Sequence, residues 1–240
     1  MPRWYVMLDG TADDLVRIKQ RFTASDFTFD HRDGKDTLSA PVLEQLQDRN
    51  DVIDAGMELL ASINTALRLS AFGYTGFQFH GLVEERSDGS IHRTMLARGA
   101  SFGLSGAAAV LIAGSIGKPI RSREERLVSL LAKNDAMAEL AVSMTAYPLT
   151  WGAMNTTYES AKGLMSTKAS PEAKRKDHQV LIDKGWLTAD ESERFYKTAG
   201  YYRHGYPKTP IKHASPMAYT EASILITKLF WHLVDAIEPV

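Results

Sequence analysis

Hydrophobic and polar positions follow two different patterns along the chain. In residues 1–117, short aromatic and β-branched runs end at Asp-Gly or other glycine-containing turns, which predicts strands joined by hairpins. The predicted strands cover residues 4–8, 27–30, 37–39, 76–85 and 90–98, with a further strand or a helix at residues 101–112. Between the hairpins, apolar residues recur at helical spacing over residues 41–71, as one long helix or two joined near residues 48–51. This part is therefore predicted to be mixed α and β.

The pattern changes to helical stripes after residue 117. Apolar residues recur every three to four positions over residues 123–133, 136–144, 154–165, 172–184, 189–203 and 219–237. Thr188 and Glu191 have the spacing of a capping box, in which a hydroxyl and a carboxylate each bind a backbone N–H at a helix start. The sequence therefore predicts an α+β protein. A small N-terminal α+β domain (residues 1–117) precedes an all-α helical bundle (residues 118–240).

Composition and charge exclude several classes of protein. The 240 residues are 44% hydrophobic and 24% charged, which is the mix of an ordinary globular protein. Cysteine is absent, so disulfides and thiolate zinc sites are excluded. A formal net charge of −1 gives no global attraction to nucleic acid or to an anionic membrane. The longest apolar run, residues 107–113, is far shorter than the roughly 20 residues of a membrane-spanning helix, so we expect a cytoplasmic protein with no membrane partner.

Metal and phosphate-loop motifs are weak in this sequence. The seven histidines are scattered without an H-x-x-x-H pair, so neither a metal site nor any other cofactor is expected. Gly114 and Gly117 have two residues between them, where a phosphate-binding loop has four, and the segment is interpreted as a linker. Acid-rich stretches at residues 9–14, 26–36 and 48–54 are interpreted as solvated faces.

One segment, residues 194–208, gathers residue types that suit RNA chemistry. Lys197 and His204 are seven residues apart, so a helix would place them on nearly the same face. The dipole at a helix C-terminus favours the charged form of His204, whereas neighbouring cations favour the neutral form, so this histidine can exchange protons near neutral pH. Cations stabilise a phosphodiester, and tyrosines stack on unpaired bases. The alternative is a helix cap with surface cations and packed tyrosines.

Residues 195–205, the loop that follows them and the final apolar helix resemble the end of HEPN domains, the nucleotide-binding helical domains of higher eukaryotes and prokaryotes. These domains end in a helix, an Arg-x(4–6)-His motif often followed by Gly, a loop and a last helix. His204-Gly205 matches the His-Gly pair, and the cation at the matching distance is Lys197, where the family has arginine. Residues 151–162, which contain Glu159, look like the earlier helix that carries an acidic residue in many HEPN domains.

The resemblance implies an RNA- or nucleotide-binding protein. Catalytic HEPN proteins are metal-independent endoribonucleases, here of bacterial defence or toxin type, and many relatives lack activity. A non-catalytic dimeric interaction or scaffold protein is therefore the alternative. In the catalytic version His204 acts as general acid or base, Lys197 and Arg203 hold the phosphate, and Glu159 orients the histidine or a cation. The residues expected to contact the substrate are Tyr201, Tyr202, Arg194, Lys208 and His213.

A homodimer through the helical half is also expected. HEPN-like domains commonly pair. The final helix also carries more large apolar residues than one packing face needs, among them Leu225, Leu229, Trp231 and Leu233.

Overall fold

The computed structural model describes residues 2–32, 34–71, 73–95, 121–145, 149–165, 178–203 and 216–239, apart from the side chain of Arg203. The chain divides into a first unit, Met1–Ala138 with Val240, and a second unit, Glu139–Pro239. The strands that the structure describes all belong to the first unit. The elements that it describes after residue 120, in either unit, are helices. The predicted α+β class is therefore confirmed. The predicted boundary at residues 117–118 and the predicted element at residues 101–112 lie outside the described residues.

The first unit is built on an antiparallel sheet with strand order β2-β3-β1-β4-β5. The strands are β1 (Arg3–Asp9), β2 (Thr28–Arg32), β3 (Lys35–Ser39), β4 (Gln78–Glu85) and β5 (Ile91–Met95). Both predicted hairpins are present. Gly34 and Gly89 occupy their turns with φ of 76° and 81°, a left-handed conformation that glycine adopts without steric cost.

The helices that lie wholly within the described part of the first unit are α1 (Ala12–Arg21), α2 (Pro41–Glu44), α3 (Arg49–Ser70) and α4 (Arg123–Leu131). Of the two possibilities for residues 41–71, two helices form. They are separate because Asp48 caps α3, its carboxylate accepting hydrogen bonds from the backbone N–H groups of Asn50 and Asp51. Helix α3 packs against β1, β4 and α4, and its buried stripe fills the core of the unit.

Helix α1 was not predicted, and it corrects the interpretation of the first acid-rich stretch. The Thr11 hydroxyl caps this helix by accepting a hydrogen bond from Asp14 N at 3.1 Å. Asp14 itself is only 2% exposed, and its carboxylate accepts hydrogen bonds from the backbone N–H and the hydroxyl of Thr75. The prediction of a solvated face is therefore wrong at Asp14. A buried carboxylate needs hydrogen-bond donors, and the loop before β4 supplies them.

The elements described in the second unit are all helices. Its helices are the end of α5 (Asp135–Thr145), then α6 (Trp151–Met165), α7 (Gln179–Asp183), α8 (Ala189–Arg203) and α9 (Tyr219–Ile237). Helix α6 packs against α7, α8 and α9 and so forms the centre of the unit. The predicted capping box is confirmed, because Thr188 N donates to Glu191 Oε2 at 2.7 Å and Glu191 N donates to Thr188 Oγ1 at 3.1 Å.

The apolar residues of α9 do not supply the surplus surface that the dimer prediction invoked. The four named side chains are buried within this chain, with Leu229 and Leu233 fully inaccessible. The large hydrophobic residues of α9 that are exposed are Ile224, at 66%, and Tyr219, at 43%. The homodimer stays a prediction, without its original basis. Among the described residues, no helix is both long enough and apolar enough to cross a membrane.

Candidate functional site

Helix α8 carries most of the predicted site residues that the structure describes. Helix α8 packs against α6, and its buried face includes Phe195, whose ring centroid is 5.0 Å from that of Tyr158 on α6. Because a helix repeats every 3.6 residues, Lys197 falls away from this face, and its side chain is 47% exposed. The helix extends to Arg203, as predicted. His204, Lys208 and His213 lie outside the described residues.

The two described cations of α8 make different ion pairs. Lys197 pairs with Glu193, one turn earlier on the same exposed face. Arg194 donates two hydrogen bonds of 2.7 Å to the two carboxylate oxygens of Glu221, in the first turn of α9. The hydrogen bonds lower the pKa of Glu221 and raise that of Arg194. Arg194, which the sequence placed at the substrate, therefore joins α8 to α9, whereas Lys197 stays at the surface.

Glu159 lies on α6, and its partner is a cation of its own helix. Lys162 Nζ is 2.8 Å from Glu159 Oε2 and 5.5 Å from the centre of the Tyr158 ring. The Tyr158 hydroxyl is 2.7 Å from Ser192 Oγ, so a buried hydrogen bond ties α6 to α8 beneath this pair. Burial raises the pKa of Tyr158, and the hydrogen bond with Ser192 partly opposes that effect.

Four aromatic residues meet at the C-terminal end of α8. The ring of Tyr202 stacks on Trp151 with centroids 4.9 Å apart and planes 9° from parallel. Tyr201 lies edge-on to Tyr202 at 5.4 Å, and Tyr219 lies edge-on to Trp151 at 6.1 Å. We call Trp151, Tyr201, Tyr202 and Tyr219 the aromatic surface, because Tyr202 and Tyr219 remain 48% and 43% exposed.

The sequence prediction included Tyr201 and Tyr202 but missed Trp151 and Tyr219 as site residues. Trp151 is the first residue of α6 and Tyr219 is the first residue of α9, so each lies on a different helix from Tyr202. A pattern of hydrophobic spacing reports contacts within one helix, and the contact between Tyr202 and Trp151 joins two helices. Both residues are aromatic and occupy the first position of a helix, and this was the local signal that the sequence offered.

The chain that leaves α8 is tied back to the same helix. Met217 N donates a hydrogen bond of 3.0 Å to the hydroxyl of Thr198, and both residues are buried. The absence of acidic residues from this region was not used in the prediction. Residues 194–220 contain three lysines, two arginines and two histidines, and no aspartate or glutamate. Tyr201, Tyr202 and Tyr219 of the aromatic surface therefore belong to a cationic stretch of the sequence that lacks acidic residues.

Neither the arrangement of metal-binding side chains nor comparison with known proteins assigns a function to this site. Within the described ranges, no group of three His, Asp or Glu side chains is arranged to hold a metal ion. No protein-family model matches the chain, no curated protein matches it in sequence, and no solved structure matches its fold. The chemistry of α8 and its surroundings is what remains to indicate a function.

Proposed function

We propose that the second unit is a HEPN-like RNA- or nucleotide-binding unit that cleaves RNA without a metal ion. The observation that carries the proposal is the coincidence of two features at the end of α8. One is the stretch 194–220, which has five lysine and arginine residues and no carboxylate. The other is Tyr202, which is 48% exposed on a helix that leads directly to His204.

The charge pattern suits a phosphodiester backbone. Lysine and arginine neutralise phosphates and release counterions, which supplies most of the sequence-independent affinity for nucleic acid. Lys197 is half-exposed, and its pair with Glu193 lies at the surface, where such pairs contribute little. A phosphate can therefore compete for Lys197 at little cost. Exposed tyrosine rings add contacts to unpaired bases.

The proposed cleavage uses His204 as the proton carrier. His204 removes the proton from a ribose 2′-hydroxyl, whose oxygen attacks the neighbouring phosphorus. The bond from phosphorus to O5′ breaks, and O5′ takes up a proton. The products are a 2′,3′-cyclic phosphate and a 5′-hydroxyl. Lys197 and Arg203 stabilise the charge that develops on the phosphate. Glu159 orients a cation in this scheme, and its ion pair with Lys162 supports that role.

The test is incubation of purified protein with mixed RNAs in EDTA, beside the variant His204→Ala. General acid–base catalysis is worth about 10²–10⁴ in rate, so His204→Ala should lose about that factor. Lys197→Ala should lose less, because Arg203 also holds the phosphate. Cyclic-phosphate ends and intact DNA of the same sequence are the expected product pattern. Metal-dependent cleavage, or full activity in His204→Ala, would show that the catalytic assignment is wrong.

A non-catalytic interaction protein is the second candidate, and one observation favours it. Ile224 on α9 is 66% exposed and Tyr219, on the same helix, is 43% exposed, so α9 presents two large hydrophobic side chains at its surface. A helix surface of this kind suits contact with a second protein chain. RNA binding with no cleavage under any condition would favour this candidate over the nuclease.

A further inference from the structure

We infer that Trp151, Tyr202 and Tyr219 form a stacking site for an unpaired base of single-stranded RNA. This inference rests on the proposed function and names its substrate class. Sequence reasoning pointed to Tyr202 alone among these three, so Trp151 and Tyr219 are new site residues.

The three rings come from three helix ends. Trp151 is the first residue of α6, Tyr219 is the first residue of α9, and Tyr202 lies in the last turn of α8. Trp151 also lies 6.4 Å from the buried ring of Phe195, and the Tyr219 hydroxyl donates a hydrogen bond to Leu149 O. Trp151 is therefore held against the core of the unit, and Tyr219 is tied to the backbone just before α6. A surface that is already ordered loses little conformational entropy when a ligand binds.

The geometry suits an added ring. Trp151 and Tyr202 are already nearly parallel at a stacking distance, and Tyr202 keeps 48% of its surface exposed. A base in contact with the exposed part of Tyr202 would add one ring to this aromatic group. In a double helix each base face is covered by its neighbours, so stacking on a protein ring requires an unpaired base. This requirement selects a single strand or a loop over a duplex.

Charge favours a nucleic acid over an apolar protein partner at this surface. Tyr202 and Tyr219 both lie inside residues 194–220, which lack carboxylates and carry five lysine and arginine residues. Protein interfaces are generally depleted in lysine at their centres. Single-strand binding proteins, in contrast, combine aromatic rings with a positively charged path for the backbone. The sequence that carries Tyr202 and Tyr219 contains both components, aromatic residues and cations.

The experiment measures dissociation constants by fluorescence anisotropy with a labelled single-stranded RNA of mixed sequence, in EDTA. The protein carries His204→Ala so that the probe stays intact. Stacking on one aromatic ring is worth about fivefold to 150-fold in affinity, so Tyr202→Leu should weaken binding by such a factor. Tyr202→Phe keeps the ring and should bind within twofold of the parent. The matched control is Tyr196→Leu, because Tyr196 is 59% exposed on the same helix but outside the aromatic surface.

Each outcome decides a separate point. No binding of any RNA by the parent protein overturns the proposed function and this inference together. RNA binding that Tyr202→Leu leaves unchanged overturns the stacking site alone. A duplex of the same sequence that binds as tightly as the single strand also overturns it. Equal binding of single-stranded DNA overturns the choice of RNA as the substrate class. A thermal unfolding midpoint for Tyr202→Leu close to that of the parent shows that lost affinity is not lost folding.

Discussion

The tyrosines of the two units differ in how far their side chains are exposed. The first unit has two, Tyr5 and Tyr74, and both are buried, at 4% and 8% exposure. Tyr5 donates its hydroxyl proton to Glu85 and Tyr74 donates to Asn64. In the described part of the second unit, Tyr158 is buried. Three others keep between 43% and 59% of their surface exposed: Tyr196, Tyr202 and Tyr219.

This difference separates tyrosines that hold the fold together from tyrosines whose side chains stay partly accessible. Burial raises the pKa of Tyr74, and the charge of Asp14 raises it further, so its hydroxyl stays a hydrogen-bond donor throughout the neutral range. Asn64 accepts that hydrogen bond and also pairs with the backbone of Phe77, so Tyr74 holds the loop before β4 in place. The exposed tyrosines keep part of their surface accessible even where they make contacts, as Tyr219 does through its hydrogen bond to Leu149 O. Their rings are available for a ligand, which directs the search for function to the second unit.

The largest effect is expected when a structural tyrosine is removed. Tyr74→Ala should lower the free energy of unfolding by about 3–5 kcal/mol, because a buried aromatic ring is replaced by a cavity and Asn64 loses its donor. Tyr196→Ala should change the same quantity by less than about 0.5 kcal/mol, since most of that side chain is already in water. Chemical denaturation followed by circular dichroism measures both. Equal losses in the two variants would remove the distinction between the classes of tyrosine.

Local pattern predicted most of the fold because each element depended on nearby residues. Helix α8 was bounded correctly, from its capping box at Thr188 to Arg203, and the hairpins followed from their glycine turns. Helix α1 was missed because its acidic residues were interpreted as a solvated run. The Thr-x-x-Asp spacing of Thr11 and Asp14 was a usable cap signal. Burial of Asp14 was beyond local pattern, since its donor Thr75 is 61 residues away.

The candidate site was predictable only in part, for the same reason. The pairing of Lys197 with Glu193 follows from a spacing of four within one helix. The pairing of Arg194 with Glu221 and the stacking of Tyr202 on Trp151 each join two helices. Such contacts are set by how α6, α8 and α9 pack. Residue types and spacing selected α8 as the candidate functional helix, but they could not identify the residues on other helices that it contacts.

A buried tyrosine of the second unit sharpens the comparison. Tyr158 is 1% exposed, and its hydroxyl shares a hydrogen bond with Ser192, which is 2% exposed. Tyr158→Phe removes that bond and leaves the serine hydroxyl unsatisfied, so the free energy of unfolding should fall by about 1–3 kcal/mol. Tyr202→Phe should leave it within about 0.5 kcal/mol. Equal free energies of unfolding for the two variants would show that the exposure of a tyrosine does not determine how much it stabilises this unit.

The smallest effect concerns the ion pair that joins α8 to α9, and it depends on pH. Hydrogen bonds from Arg194 hold the pKa of Glu221 below its usual value of about 4.3. A lowered pKa means that the pair stabilises the folded state above that value and that its contribution is lost as the pH falls through the folded-state pKa. Glu221→Gln should therefore lower the thermal unfolding midpoint at pH 7 and have no effect in strong acid. The shift is expected to be small, because the Glu221 side chain is 42% exposed and solvent screens such pairs.

Glu193→Gln, which removes an exposed carboxylate paired within α8, is the control and should shift the midpoint less. A midpoint difference for Glu221→Gln that persisted unchanged from pH 7 to strong acid would mean that the charge of this carboxylate does not contribute to joining the helices.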